Sequence, residues 1–205
     1  MAHTNWTDRY EKAALHSLPG ESKSDRLEKL QDALGLGEKY RNEEYKRWSL
    51  DQAFMSMAYS LAKCSHDSDT QHGCVIVDEN NHIVSSGFNG FLPGAPDEIL
   101  PNTREGGFKY RFIVHSEANA CAHATRANLK GCRVFVTGYP CNECMKTMIN
   151  KGIREIIVGD IGHKFEDGYW ELHHFLVNVH GVTIRQFQGE IVDTSSTRFI
   201  NSIGA

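Results

Sequence analysis

His115, Glu117, Cys141 and Cys144 are the residues of this chain whose types and spacing suit chemistry. They lie in His115-Ser116-Glu117 and Pro140-Cys141-Asn142-Glu143-Cys144, the first cysteine following the histidine by 26 positions (141 − 115). A structural zinc is closed by four protein ligands, whereas a hydrolytic zinc keeps its fourth position for water. One imidazole and two thiols make three ligands, so the pattern predicts an open, catalytic zinc. This ligand set neutralises the ion, and zinc so held lowers the pKa of its water to about 7. Glu117, left off the metal, is then the proton carrier, taking the water's proton and later delivering it to the leaving group. A lone Cys-x-x-Cys is as readily a structural zinc or a redox element, and a lone His-x-Glu means little. The four residues together, in this order and with the proline, carry the reading. A closed site would need a fourth ligand. The nearest candidate, His123, lies about two helical turns beyond His115 and is expected to point away.

Two helix starts must position these groups. Cys141 and Cys144 are three apart and share one helix face. Pro140 marks where that helix begins, running on through Met145, Met148 and Ile149. The free amides and positive dipole of a helix start favour thiolate over thiol. His115 and Glu117 would diverge in mid-helix but converge at its extreme N-terminus. The small, apolar run Ala118, Ala120, Cys121, Ala122 and Ala124 predicts a helix over about 115–127.

The remaining elements are legible from periodicity. Ser49 and Gln52 form a capping box ahead of Phe54, Met57, Ala58 and Leu61, predicting a helix over about 50–63. Cys74–Val77 and His82–Ser85 flank Glu79-Asn80-Asn81 as a hairpin. Strands are predicted at Arg133–Thr137, Glu155–Val158 and Val182–Phe187, with a helix near 167–179. Helices alternating with later strands, on a sheet opened by a hairpin, give a three-layer α/β/α domain with a mixed sheet.

At 205 residues the chain has room for one domain with a real core. Residues 1–47 read as a polar, partly helical appendage, with Leu27, Leu30 and Leu34 at helical spacing over Ser24–Leu34; 48–190 form the main domain and 191–205 a tail. The net charge of −4 provides no global basic field and disfavours a long nucleic-acid partner. Neither an apolar signal-peptide core nor a run of about 18 apolar residues is present, so a cytoplasmic chain without a membrane partner is expected. In that compartment Cys64, Cys74, Cys121 and Cys132 read as small buried residues rather than disulfides, a second structural zinc being the minority alternative.

The arrangement H-x-E…P-C-x-x-C is the signature of zinc nucleobase deaminases. More closely, residues from about 50 to 187 resemble the deoxycytidylate (dCMP) deaminases of the cytidine deaminase superfamily. VHSEANA and YPCNECMKTMINKGIREIIV match the family's zinc motifs, SSGFNG its G-Y-N-G loop, and FLPGAPDEILPNTREGGFKYRFIV the long link before the histidine. The resemblance implies a cytidine-deaminase-like fold, Zn2+ on His115, Cys141 and Cys144, Glu117 as proton shuttle, and Asn89 on the deoxyribose. For the 5′-phosphate it points first to Lys63, then to Lys109 and Arg111. Phe165 is expected to replace a family tyrosine that packs on the substrate. Ser116 stands where alanine is usual and is expected to change little, since that position makes no metal bond. His72 stands where valine is common. The family also implies a homohexamer activated by dCTP and inhibited by dTTP with Mg2+. Deamination of a free nucleoside or a nucleic-acid base is the alternative activity. A catalytically silent, zinc-scaffolded binding module is a third reading, against which the intact Glu117 argues.

Overall fold

The chain divides into two units, Met1–Arg47 and Trp48–Ala205. The computed structural model describes residues 48–160 and 169–191, together with Ser22, Asp25, Glu28, Lys29 and Asp32. In the first unit Ser22 and Asp25 exchange side-chain-to-amide hydrogen bonds, the signature of a helix start, and Asp25, Glu28, Lys29 and Asp32 are helical and exposed. The leucines of the expected amphipathic helix lie outside the described residues.

The second unit opens with α1, Leu50–Ala62. Ser49 caps it by accepting from the Gln52 amide. The capping box is only half made, because the Gln52 side chain donates to the Glu190 carbonyl instead of returning to Ser49. Phe54, Met55, Ala58 and Ala62 form its buried face. Strand β1, Gly73–Val77, is buried at every position, as befits a central strand covered on both faces. A Cβ on Gly73 would sit 1.9 Å from the Ala58 carbonyl oxygen, so glycine is what lets α1 lie this close. The expected turn follows, with Asp78 Oδ1 accepting from the amides of Asn80 and His82 and with Asn81 at φ 66°. Strand β2, Ile83–Phe88, pairs antiparallel with β1.

Helix α2, Ser116–Ala122, is shorter than the expected 115–127. It stops at His123, beyond which Thr125 turns its hydroxyl to the Val84 carbonyl. Then come β3 (Arg133–Val136), α3 (Asn142–Asn150), β4 (Glu155–Val158), α4 (Tyr169–His180) and β5 (Thr183–Gln186). The sheet order is β2-β1-β3-β4-β5; β1 and β3 are antiparallel, and β3, β4 and β5 run parallel.

Alternation along the strands sends Val75, Val77, Phe135 and Ile157 to α1 on one face. Cys74, Ile76, Val134, Val136, Ile156 and Val158 go to α2, α3 and α4 on the other. This is the expected three-layer α/β/α arrangement with its mixed sheet. Each fully buried valine or isoleucine contributes about 1.5–3 kcal/mol, so the two sheet faces supply much of the driving force for holding α2 and α3 in place. Among the leftover cysteines, Cys74, Cys121 and Cys132 are buried as expected, while Cys64 is exposed because it follows the end of α1. No helix among the described residues is long and apolar enough to cross a membrane.

Candidate active site and metal centre

Both ligand-bearing helices begin at the same end of the sheet. His115 is the N-cap of α2 and Cys141 the N-cap of α3. Pro140 therefore precedes the cap rather than occupying the first helical position, and it is the Cys141 sulfur that accepts from the Cys144 amide. A thiol in the capping role already favours the thiolate a metal needs. Close packing of β2 on α2 fixes the other ligand. A Cβ on Gly87 would lie 2.6 Å from the Ala120 nitrogen and 2.7 Å from the Ser116 oxygen, and Asn119 Nδ2 ties α2 to the Phe88 carbonyl at 2.8 Å.

The His115 Nδ1 atom is 3.4 Å from Cys141 Sγ and 3.5 Å from Cys144 Sγ, and the three ligand atoms all lie within 4.8 Å of one another. Tetrahedral zinc, with bonds of about 2.0 Å to nitrogen and 2.3 Å to sulfur, sets its donors about 3.5 Å apart, so the donor set fits. Among the described residues this is the one cluster of its kind. Glu117 stands outside it. Cys141 is held down to about 4 by hydrogen bonding from Cys144, with His115 and the Cys144 amide adding to this, while that bond, burial and nearby Glu117 push Cys144 up. A divalent cation between them ends that competition.

Glu117 is buried, and burial raises its carboxyl above the ordinary glutamate value. Against this act its own backbone amide and the hydroxyl of Ser116, which donates to Glu117 Oε2 at 2.8 Å. Ser116, expected to change little, thus touches the Glu117 carboxylate directly.

These groups line a cavity of about 360 Å³, a size ordinary for small-molecule sites. Asn89 is in its wall, buried, with Oδ1 accepting from the His72 amide and Nδ2 donating to the Thr70 carbonyl and Asp67. It thus pins the 67–72 loop, and the second lone pair of Oδ1 remains for a ligand. His72 also lines the cavity, its ring bonded to the Thr137 hydroxyl.

The phosphate candidates separate. Lys63, expected first, is the exposed C-cap of α1 and is not among the cavity's lining residues, although Ala62 before it packs against Gly73 at the cavity end of β1. Arg111 is exposed, stacks over the Phe108 ring at 5.1 Å and is also absent from the lining. Lys109 does line the cavity, yet it is 1% exposed and its Nζ bonds both Asp67 oxygens, at 2.7 and 2.9 Å, and Asp69 at 3.4 Å. Its charge is committed within the protein. Burial alone would raise the Asp67 carboxyl, but Lys109 and the amides of Thr70 and Asp69 outweigh it and hold it below the usual aspartate value.

Sequence reasoning missed Arg104. This residue lines the cavity, its backbone amide is held by Asp69, and its guanidinium reaches the Thr70 hydroxyl. Among the described residues it has no carboxylate partner. The signal was present in the link before His115, but nothing in the spacing singled out this cation. Tyr110, Ile113 and Tyr139 complete the wall and were missed likewise. Phe165 lies outside the described residues.

Residues 48–160, more than half of the chain, match the family model described as cytidine and deoxycytidylate deaminase zinc-binding region. The chain is 36% identical over 152 residues to the deoxycytidylate deaminase of Homo sapiens, covering 72% of this chain and 83% of that one, and equally so to the enzyme of Mus musculus. Its fold is similar to that of the dCMP deaminase from cyanophage S-TIM5 in complex with dCMP and dUMP, with a TM-score of 0.56 at 22% identity, over 70% of this chain and 100% of that one.

Proposed function

The chain belongs to the cytidine and deoxycytidylate deaminase family, and from that premise we propose that it hydrolyses dCMP to dUMP and ammonia, feeding thymidylate synthesis. The observation that carries this is the trio His115, Cys141 and Cys144 gathered around one point, with the buried carboxylate of Glu117 beside it but outside the ligand cluster. Zinc held there supplies Lewis acidity and an activated water at neutral pH.

Glu117 does the proton work. The water's oxygen joins C4 of the cytosine ring while Glu117 carries one of the water's protons to ring N3; the C4–N bond then breaks as Glu117 carries the other, from the new C4 hydroxyl, to the departing ammonia. Ser116 holds one carboxylate oxygen and thereby orients the other. Asn89 meets the deoxyribose through the free lone pair of Oδ1. For the 5′-phosphate, Arg104 replaces Lys63 as the first candidate: its fork of N–H donors suits a phosphate, and no carboxylate among the described residues claims it. The Lys109–Asp67 pair serves as a strap between the Glu105–Arg111 segment and the 67–72 loop, keeping Arg104 and Asn89 on the same cavity.

Regulation by dCTP and dTTP with Mg2+, hexamer assembly, a cytoplasmic location, and the roles of 1–47 as appendage and 191–205 as tail belong to the same proposal. Their support is the family resemblance and the composition of these segments. Assaying dCMP, deoxycytidine, dCTP and a cytosine-containing oligonucleotide side by side tests the substrate. Efficient turnover of dCMP alone is expected, and equal turnover of deoxycytidine would leave only zinc-dependent deamination.

A further inference from the structure

Tyr139 stands between β3 and the Pro140-Cys141 start of α3, and its side chain forms part of the cavity wall beside Val136 and Cys141. Its hydroxyl lies 2.7 Å from His173 Nε2 on α4. His173 is 1% exposed, and its other ring nitrogen, Nδ1, is buried without a hydrogen-bond partner among the described residues. An orphaned polar atom in the interior is a cost that leucine or methionine at this position would not carry. Folding alone gives no reason for an imidazole there. What the imidazole supplies, and an apolar side chain does not, is the bond to Tyr139.

Trp170 completes a clamp from the same helix. Its ring packs tilted against Tyr139 with centroids 5.7 Å apart and edge-on to His173, also at 5.7 Å. The torsion that turns a tyrosine ring is broad and soft. A tether at the hydroxyl fixes the plane that packing alone leaves loose. We propose that His173 is a positioning residue: through Tyr139 it fixes the aromatic wall against which the pyrimidine ring of the substrate lies next to Cys141. Burial, and then the charge of neighbouring His174, keep the His173 ring below its ordinary titration range, so the tether joins neutral groups. The role rests on reading the cavity as the dCMP site.

The test compares Tyr139→Phe, His173→Leu, His173→Gln and the double variant Tyr139→Phe/His173→Leu with wild type in dCMP kinetics, zinc content and thermal midpoint. Tyr139→Phe and His173→Leu should each raise KM about two- to tenfold, the scale of one neutral hydrogen bond, with kcat and zinc content nearly unchanged. The midpoint of His173→Leu should hold or rise, since the orphaned nitrogen is gone. His173→Gln retains a polar atom for the tether and should recover most of the loss, and the double variant should be no worse than either single. Unchanged KM in both single variants, additive losses, or a fall in midpoint large enough to account for the activity loss would overturn the proposal. A wild-type chain active on dCMP with unchanged KM in the variants removes only the role of His173. A wild-type chain inert towards dCMP removes the substrate reading as well.

Discussion

Ser116 Oγ donates a 2.8 Å hydrogen bond to Glu117 Oε2, one residue away on the first turn of α2, where both side chains are buried. The bond occupies one carboxylate oxygen and helps to hold the group in one orientation. Ser116→Ala should therefore keep zinc and lower kcat about two- to tenfold, with KM for dCMP little changed, because the interaction bears on proton transfer. Unaltered kcat would make the hydroxyl a packing group only.

Changing Cys141 or Cys144 to serine should release the metal. A hydroxyl is a poor substitute for thiolate, and the sulfurs are two of three protein ligands. Metal analysis of the wild type should find one tightly held zinc per chain, and of either variant close to none. Two equally tight ions in the wild type would reveal a second site.

The Lys109–Asp67 strap should be felt as stability before chemistry. Lys109→Met leaves the Asp67 carboxylate buried beside Asp69 without a cation, a change that costs about 3–5 kcal/mol in buried pairs. Because the folded Asp67 carboxyl titrates below its unfolded value near 4, the strap's stabilisation is complete above about pH 4 and is lost as pH falls through the folded value. Urea unfolding followed by fluorescence should show Asp67→Asn less stable than wild type at pH 7, with the gap narrowing below about pH 4. A gap that stays constant with pH would remove the charge from the explanation.

Arg104→Ala should erode the preference for dCMP over deoxycytidine. A hydrogen bond to a charged group is worth roughly 1.5–3 kcal/mol, or about ten- to a hundredfold in kcat/KM for the phosphorylated substrate. Deoxycytidine should react almost unchanged. Lys63→Ala, on the exposed end of α1, should leave both substrates alone. Equal slowing of both substrates in Arg104→Ala would make Arg104 structural.

The zinc trio and Glu117 were legible because short spacings at two helix starts encode their convergence: Cys141 to Cys144 within one turn, His115 to Glu117 at a helix tip. The sheet and its hairpin were legible because strand periodicity is local. The cations were not. Arg104 reaches the cavity only because Asp69, 35 residues earlier in sequence, holds its amide, and Lys109 is buried only because Asp67 and Asp69 meet it there. Such pairings leave no periodic trace. The end of α1 was legible to within a residue, but Lys63 was assigned from a family position alone, and its exposed side chain is not among the cavity's lining residues; α2 was overextended because the run of small, apolar residues continues past Ala122, where the helix ends. The tie from Tyr139 to His173 spans 34 residues and was likewise invisible.

That Glu117 carries the protons in zinc-dependent deamination of dCMP is tested most directly by ammonia release from dCMP by Glu117→Gln, with zinc determined on the same sample. The amide fills the space of the carboxylate but does not shuttle protons, and general acid–base groups contribute about 10²–10⁴-fold. The variant is expected to hold one zinc per chain, as the wild type does, and to keep about a hundredth of its turnover or less. Zinc-loaded Glu117→Gln retaining more than about a tenth of wild-type turnover, or a zinc-loaded wild type that releases no ammonia from dCMP, would contradict it.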